Sequence, residues 1–358
     1  MGFPVNDFTG FWIGAKLLGT KYLYDIPANL AMQSAITGRT FDVLIFVRPP
    51  FFAAAMRLFT LMPYLTALRV WQLTLAAALV LFVAVYPLAP RRYTMLALAW
   101  SILIPIDVIA LPNDAPLILL FVALSMFFWS QGRPALSGAM LGLCLAKFHF
   151  FVFVPLLLLK RENRKVLAGF AAVASILMII NFWAQPDWIR LYWQALNMPQ
   201  RSMNSRPRLM PNFYASFFWT GHPGIWVVIG ALLIGGILWQ VTRHFPFDTA
   251  LAFCVLGGLL AAPHANNVDG LLAIPALLAV AQRSQAFALA AALLLSPAGA
   301  MLYCSGPLTI GPAIFVGACL ILMSCALLNR APGSVLARPI GFPYAIPCAQ
   351  ADIRNPGD

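Results

Sequence analysis

The stretch Trp71-Gln72-Leu73-Thr74-Leu75-Ala76-Ala77-Ala78-Leu79-Val80-Leu81-Phe82-Val83-Ala84-Val85 runs without a charged residue. It lies in an apolar run at 64–87, close to the roughly 20 residues a helix needs to cross a bilayer. Apolar and polar residues do not alternate along it, so a spanning strand barrel is excluded. Further apolar runs follow at 94–111, 114–130, 166–184, 224–242, 247–262, 268–282, 285–302 and 308–328. With 61% hydrophobic residues and a mean hydropathy of +0.84, the chain reads as all-α and polytopic in the membrane. About ten or eleven spans are expected. Residues 1–328 read as one transmembrane domain. Residues 329–358, rich in proline and without an apolar period, read as a disordered cytoplasmic tail.

Three stretches depart from simple spans. Residues 8–19 set Phe8, Phe11, Trp12, Ala15 and Leu18 at helical spacing and predict a short amphipathic helix lying in the interface. Residues 49–63, bounded by prolines, predict a second short apolar helix. Residues 134–159 are interrupted by Lys147-Phe148-His149, which predicts two short helices or one strongly broken helix. The first dozen residues lack a basic leader segment, so no cleavable signal peptide is expected.

The net charge of +12 comes from basic residues set singly or in short clusters between apolar runs. That is the pattern of loops beside a membrane and not of a nucleic-acid-binding face. The basic loops at Arg91-Arg92, Arg133, Lys160–Lys165, Arg243, Arg283 and Arg330 all fall in the cytoplasm if 134–159 is a hairpin returning to its own side. The Asp7 segment, Asn113-Asp114, the 185–223 loop and Pro263–Asp269 then share the opposite face. Arg201, Arg206 and Arg208 in the 185–223 loop run against the charge bias and call for an anionic partner, a phosphate first. Cys144, Cys254, Cys304, Cys319, Cys325 and Cys348 form no Cys-x-x-Cys and read as small packing residues.

Carboxylates are scarce: 11 Asp and Glu in 358 residues, with Glu162 the one glutamate. An acid in or beside lipid is costly and tends to be kept for a purpose. Asp7 is either kept for function or the N-cap of the helix that follows it. Asp25 reads as a cap or turn residue. Asp107, within Ile104-Pro105-Ile106-Asp107-Val108, reads as a functional acid or a partner to a buried cation. Asn113-Asp114 either binds sugar hydroxyls or caps the next helix.

These landmarks, taken in order, resemble glycosyltransferase family 87. The resemblance is carried by Asp7-Phe8-x-x-Phe11-Trp12-x-x-Ala15-x-x-Leu18 with Leu23-Tyr24-Asp25, and by Arg48-Pro49-Pro50-Phe51-Phe52. It continues through Leu61-Met62-Pro63 with Ala67 and Trp71, then Gly138-x-x-x-Gly142-x-x-x-Ala146-Lys147-Phe148-His149, and finally Ala262-Pro263-His264 with Asp269. It covers roughly residues 6–280 and implies a C-type glycosyltransferase of the bacterial plasma membrane, its site open to the extracytoplasmic face. The family places a transmembrane helix ahead of the aspartate, whereas six residues precede Asp7 here, so that first helix is expected to be missing. Asn113-Asp114 stands where relatives often show glycine-glutamine-asparagine.

The resemblance implies a sugar, mannose first, moved from a polyprenyl-phosphate donor to a glycolipid or polysaccharide acceptor, with Asp7 as general base. Such a transfer needs a base for the acceptor hydroxyl and cations or donors for the departing phosphate. His264, Lys147, His149, Arg201, Arg206 and Arg208 are the phosphate or sugar contacts to consider, with Asp107, Asn113, Asp114 and Asp269 as further binding residues. The bland alternatives are a loop histidine at 264, a lysine at 147 reaching the interface along its own stem, and interfacial anchoring for the arginine loop. No Asp-x-Asp and no metal-ligand spacing occurs, so neither a metal nor another cofactor is expected. The competing function is a transporter or flippase of lipid-linked sugars, with Lys147, His149 and Asp107 forming its pathway. That reading expects paired broken helices in two repeated halves, and the sequence offers one broken segment.

Overall fold

The computed structural model describes residues 6–39, 45–101, 103–197, 210–299 and 310–328, and every regular element among them is helical. The N-terminal part holds α1 (Asp7–Leu17), α2 (Ile26–Thr37), α3 (Pro50–Met56), α4 (Tyr64–Val85) and α5 (Arg91–Trp100). The middle holds α6 (Ala115–Ser130), α7 (Pro134–Leu143), α8 (Val154–Leu158), α9 (Arg164–Ala184) and α10 (Trp188–Leu196). The C-terminal part holds α11 (Phe213–Ser216), α12 (Pro223–His244), α13 (Phe247–Ala261), α14 (Ile274–Ala281), α15 (Gln285–Leu295) and α16 (Ile310–Leu328). Tight 3-10 segments at Cys144–Phe151 and Asn267–Ala273 adjoin α7 and α14.

By length and composition, five helical stretches among the described residues can cross a membrane: Tyr64–Val85, Pro134–Phe151, Arg161–Ala184, Pro223–His244 and Ile310–Leu328. A sixth is added if the bent pair Arg91–Trp100 and Leu103–Ala110 acts as one span. The remaining apolar runs form shorter helices, among them Ala115–Ser130, Phe247–Ala261, Asn267–Ala281 and Gln285–Leu295. Against the ten or eleven spans expected, the described residues thus give five or six helices long enough to cross, and the other apolar runs among them form shorter helices.

One of the short helices, α13, is surrounded by protein and not by lipid. In α13, 13 of 15 residues are buried, all but its second and third residues. The predicted amphipathic character of α1 gives way for the same reason: eight of its 11 residues are buried, and only Lys16 among them is exposed. Phe8 and Phe11 pack on Trp71 of α4, and Phe11 also meets Phe52 of α3 edge-on. Aromatic spacing foretold the helix correctly, but its partner is the helix bundle.

Small residues let these helices approach closely, as they do where packing rather than water drives association. A Cβ placed on Gly138 of α7 would sit 1.8 Å from the Val166 carbonyl oxygen at the start of α9. One placed on Gly258 of α13 would sit 1.8 Å from the carbonyl oxygen of Phe150. The second contact pins the Cys144–Phe151 segment against the central helix. Within that segment Lys147 has φ −123° and ψ 50°, which breaks the helix where the sequence predicted. The buried thiols Cys144, Cys254 and Cys319 fill packing positions.

Gly258→Ala forces a methyl against backbone that cannot swing aside, so it should destabilise the detergent-solubilised protein by about 1–3 kcal/mol. Gly236→Ala on α12, where a Cβ meets nothing within 4 Å, is the matched control and should be neutral or mildly stabilising. Thermal unfolding of the two variants side by side checks this; equal melting temperatures would remove the close approach as a constraint.

Candidate active site

The site begins with a helix cap. The Asn6 side chain accepts the Thr9 backbone N–H at 3.3 Å, and the Thr9 hydroxyl accepts the Asn6 N–H at 3.1 Å, a reciprocal capping box. Thr9 also shares a 2.7 Å hydrogen bond with the Tyr64 hydroxyl. Capping is thus done by Asn6, which overturns the cap reading of Asp7. Asp7 is the first residue inside α1, and its Oδ2 accepts a hydrogen bond from Asn113 Nδ2. Asp25, by contrast, does cap: it accepts the Ala28 N–H at 2.8 Å at the start of α2.

Asn113 and Asp114 precede α6, yet Asp114 makes no capping bond. Its carboxylate instead receives Arg48 through Nε at 3.1 Å and Nη2 at 2.8 Å, a two-pronged grip, and Lys147 Nζ at 2.9 Å. Lys147 also donates to Asn113 Oδ1 at 2.6 Å and to Asp269 Oδ1. The second oxygen of Asp269 accepts the Asn266 N–H at 2.7 Å, closing the turn that starts the Asn267–Ala273 segment. The Arg48 guanidinium lies over the Phe11 ring at 5.7 Å. The start of α1, the loops before α3 and α6, the Asn267–Ala273 segment and the broken helix therefore meet at one knot of charge.

The knot is dry at its centre and open at its edge. Lys147 and Asp114 are 1% exposed, and Asn113 and Asp269 are buried, while Asp7, Arg48, His149 and His264 are half-buried. Removing one partner of a buried ion pair costs about 3–5 kcal/mol, so Lys147 needs both of its carboxylates. The same environment drives two acids apart. Burial pushes the Asp7 carboxyl up to about 6, against the Asn113 hydrogen bond and the Lys147 and Arg48 charges that pull it down. Burial also pushes Asp114 upward, but Arg48 and Lys147 outweigh it and hold that carboxyl at about 2.

Of the residues singled out in the sequence, the structure brings together Asp7, Asn113, Asp114, Lys147 and Asp269. The reading of Lys147 as a lysine reaching the interface is corrected, because its ammonium points into the knot. The cap reading of Asp114 is corrected too: its oxygens are drawn away by two cations. His149 packs against Phe150 with ring centres 4.1 Å apart and lies within electrostatic reach of Arg48, Lys147 and His264. Asp107 belongs to the turn Ile106–Ala110, and its side chain lies outside the described set. Arg201, Arg206 and Arg208 lie outside the described residues. Arg48, which the sequence offers only as part of the proline-pair landmark, joins the site through Asp114. Its signal was an arginine ahead of a proline pair in a chain with few acids to neutralise a buried cation.

Among the described residues, no group of three or more His, Cys, Asp or Glu side chains is arranged to hold a metal ion. No curated protein and no solved structure matches the chain. The family model of glycosyltransferase family 87 matches residues 46–263, more than half of the 358, a stretch that holds Arg48, Asn113, Asp114 and Lys147. Asp7 and Asp269 stand outside the matched stretch but belong to the same knot. The chain, a helical membrane protein, belongs to glycosyltransferase family 87 and is a glycosyltransferase, working between a sugar donor and an acceptor.

Proposed function

We propose that the protein transfers a hexose, mannose first, from a polyprenyl-phosphate donor to a hydroxyl of a glycolipid or polysaccharide precursor. The transfer takes place on the extracytoplasmic face of a bacterial inner membrane, with Asp7 as the general base. The observation that carries this reading is Asp7 itself: an acid at the open edge of a buried charge knot, relieved of capping by Asn6 and lifted to about 6. A base poised near working pH is ionised often enough to act and basic enough to take a proton. Asp7 takes the acceptor hydroxyl proton as that oxygen attacks the anomeric carbon. The bond from carbon to phosphate oxygen breaks, and the polyprenyl phosphate leaves with the electron pair.

The departing phosphate gains charge and needs donors. Arg48 uses Nε and Nη2 on Asp114, and among the described residues Nη1 has no partner, so it is available to a phosphate oxygen. His264 and the Arg201–Arg208 loop are the further contacts. Lys147 acts through its field, since its bonds go to Asp114, Asp269 and Asn113. Asp114 and Asp269 are held by cations of the protein, which supports a metal-independent reaction with a monophosphate leaving group.

Asp7→Asn should lower turnover by about 10²- to 10⁴-fold with expression intact, because the amide cannot accept the proton and the helix keeps its Asn6 cap. Membranes incubated with radiolabelled polyprenyl-phosphate mannose and assayed for labelled glycolipid give the measurement. Near-normal labelling by the variant would sink the base assignment. In the same assay the wild-type rate should fall as pH drops through about 6, since only the ionised Asp7 accepts a proton. A flat profile from pH 5 to 8 would argue against it.

Orientation is read separately by cysteine labelling in a cysteine-free background. His222→Cys and Glu162→Cys are both exposed positions. An impermeant reagent should label the first in intact cells and the second only after permeabilisation. The reverse pattern would place the site in the cytoplasm.

A further inference from the structure

Asn113 is the one uncharged member of the knot, and its geometry gives it a task that sugar binding does not explain. Its Oδ1 accepts from Lys147 Nζ at 2.6 Å and from the Ala115 backbone N–H at 3.0 Å. The amide cannot be turned round, because its NH₂ would then face an ammonium and an N–H, both of them donors. Its Nδ2 is thereby obliged to face Asp7, where it donates to Oδ2. Among the described residues this is the side-chain hydrogen bond that Asp7 receives, and it leaves Oδ1 for a substrate proton.

We infer that Asn113 is a positioning residue: locked by Lys147 and the start of α6, it fixes which oxygen of Asp7 faces the substrate and stabilises its ionised form. The inference rests on the reading of Asp7 as base. A hydrogen bond to a carboxylate favours the charged form, which is why the Asn113 contact draws the Asp7 carboxyl down against burial. The charged groups acting on Asp7 come from three other segments: Lys147 from the broken helix, Arg48 from the loop before α3, and Asp114 beside Asn113. Asp269 acts in turn on Arg48 and Lys147, and His149 senses Arg48, His264 and Lys147. Loss of the Asn113 donor leaves these charges in place, so its effect on Asp7 can be isolated.

The test is a pH titration of the Asp7 carboxyl by infrared difference spectroscopy on the full-length protein reconstituted in lipid. The band that Asp7→Asn removes is the Asp7 signal. In the wild type it should titrate near 6. In Asn113→Leu its midpoint should rise by about one to two pH units, the size expected from losing a hydrogen bond to a charged group. Asn113→Ser guards against misfolding, because its hydroxyl can still accept the Ala115 N–H in a short turn but cannot reach Asp7. It should show the same rise. An unchanged midpoint in both variants overturns the inference. Transfer of labelled mannose is measured alongside: both variants should lose turnover with little change in KM and regain part of it above pH 8. If Asp7→Asn remains active, the base reading fails whatever the titration shows. If Asp7→Asn is inactive and the Asn113 midpoints stay at the wild-type value, the positioning role fails alone.

Discussion

One buried ammonium organises the site. Lys147 sits where Cys144–Phe151 leaves helical geometry, and its three bonds reach the loop before α6 and the turn before α14. An isolated lysine in that position would cost several kcal/mol, so the fold must bring carboxylates to it. Asp114 and Asp269 answer that demand, and Asp114 takes Arg48 as well. The count of charge then decides the chemistry. Two cations are matched by two carboxylates, and the third acid, Asp7, is left with a neutral amide for its hydrogen bond. It is the acid for which burial wins, while Asp114 is the acid for which the cations win. Two carboxyls driven apart by their surroundings are the usual sign of divided labour in an active site.

The sequence disclosed the membrane, the helices and the break, because each rests on local pattern. Fifteen uncharged residues at 71–85 need no partner to be read as a span, and Lys147-Phe148-His149 interrupts an apolar run whatever lies beside it. What it concealed was pairing. Lys147 is 34 residues from Asn113 and 122 from Asp269, and Arg48 is 66 from Asp114. No periodicity links positions so far apart. Scarcity of acids singles out Asp7, which the structure sets against Asn113, yet its cap reading fails because Asn6, one residue earlier, is equally suited to capping. The surroundings of α1 were misjudged for a related reason: an aromatic face looks the same in sequence whether it meets lipid or Trp71 and Phe52.

The short central helix follows from the same constraint. At about 1.5 Å per residue, the 15 residues of α13 reach roughly 22 Å, less than the roughly 30 Å of a hydrocarbon core. A helix facing lipid could not end there without exposing its last carbonyls to hydrocarbon. Buried among other helices, α13 can stop early and give way to irregular backbone, which is tolerated at membrane depth only where protein or a water-filled cavity surrounds it. The turn that follows satisfies its own polar groups: Asn212 Nδ2 donates to the Ala262 carbonyl at 3.1 Å, Asn266 N–H to Asp269, and Val268 N–H to the Asn267 side chain at 3.0 Å. Stopping α13 short thus leaves the turn that brings Asp269 to Lys147. Gly258, three residues before the end of the helix, holds the broken segment tightly enough for that contact to form. The close backbone approach, the break at Lys147 and the early end of α13 are three parts of one arrangement, and the ion pair between Lys147 and Asp269 is where they join.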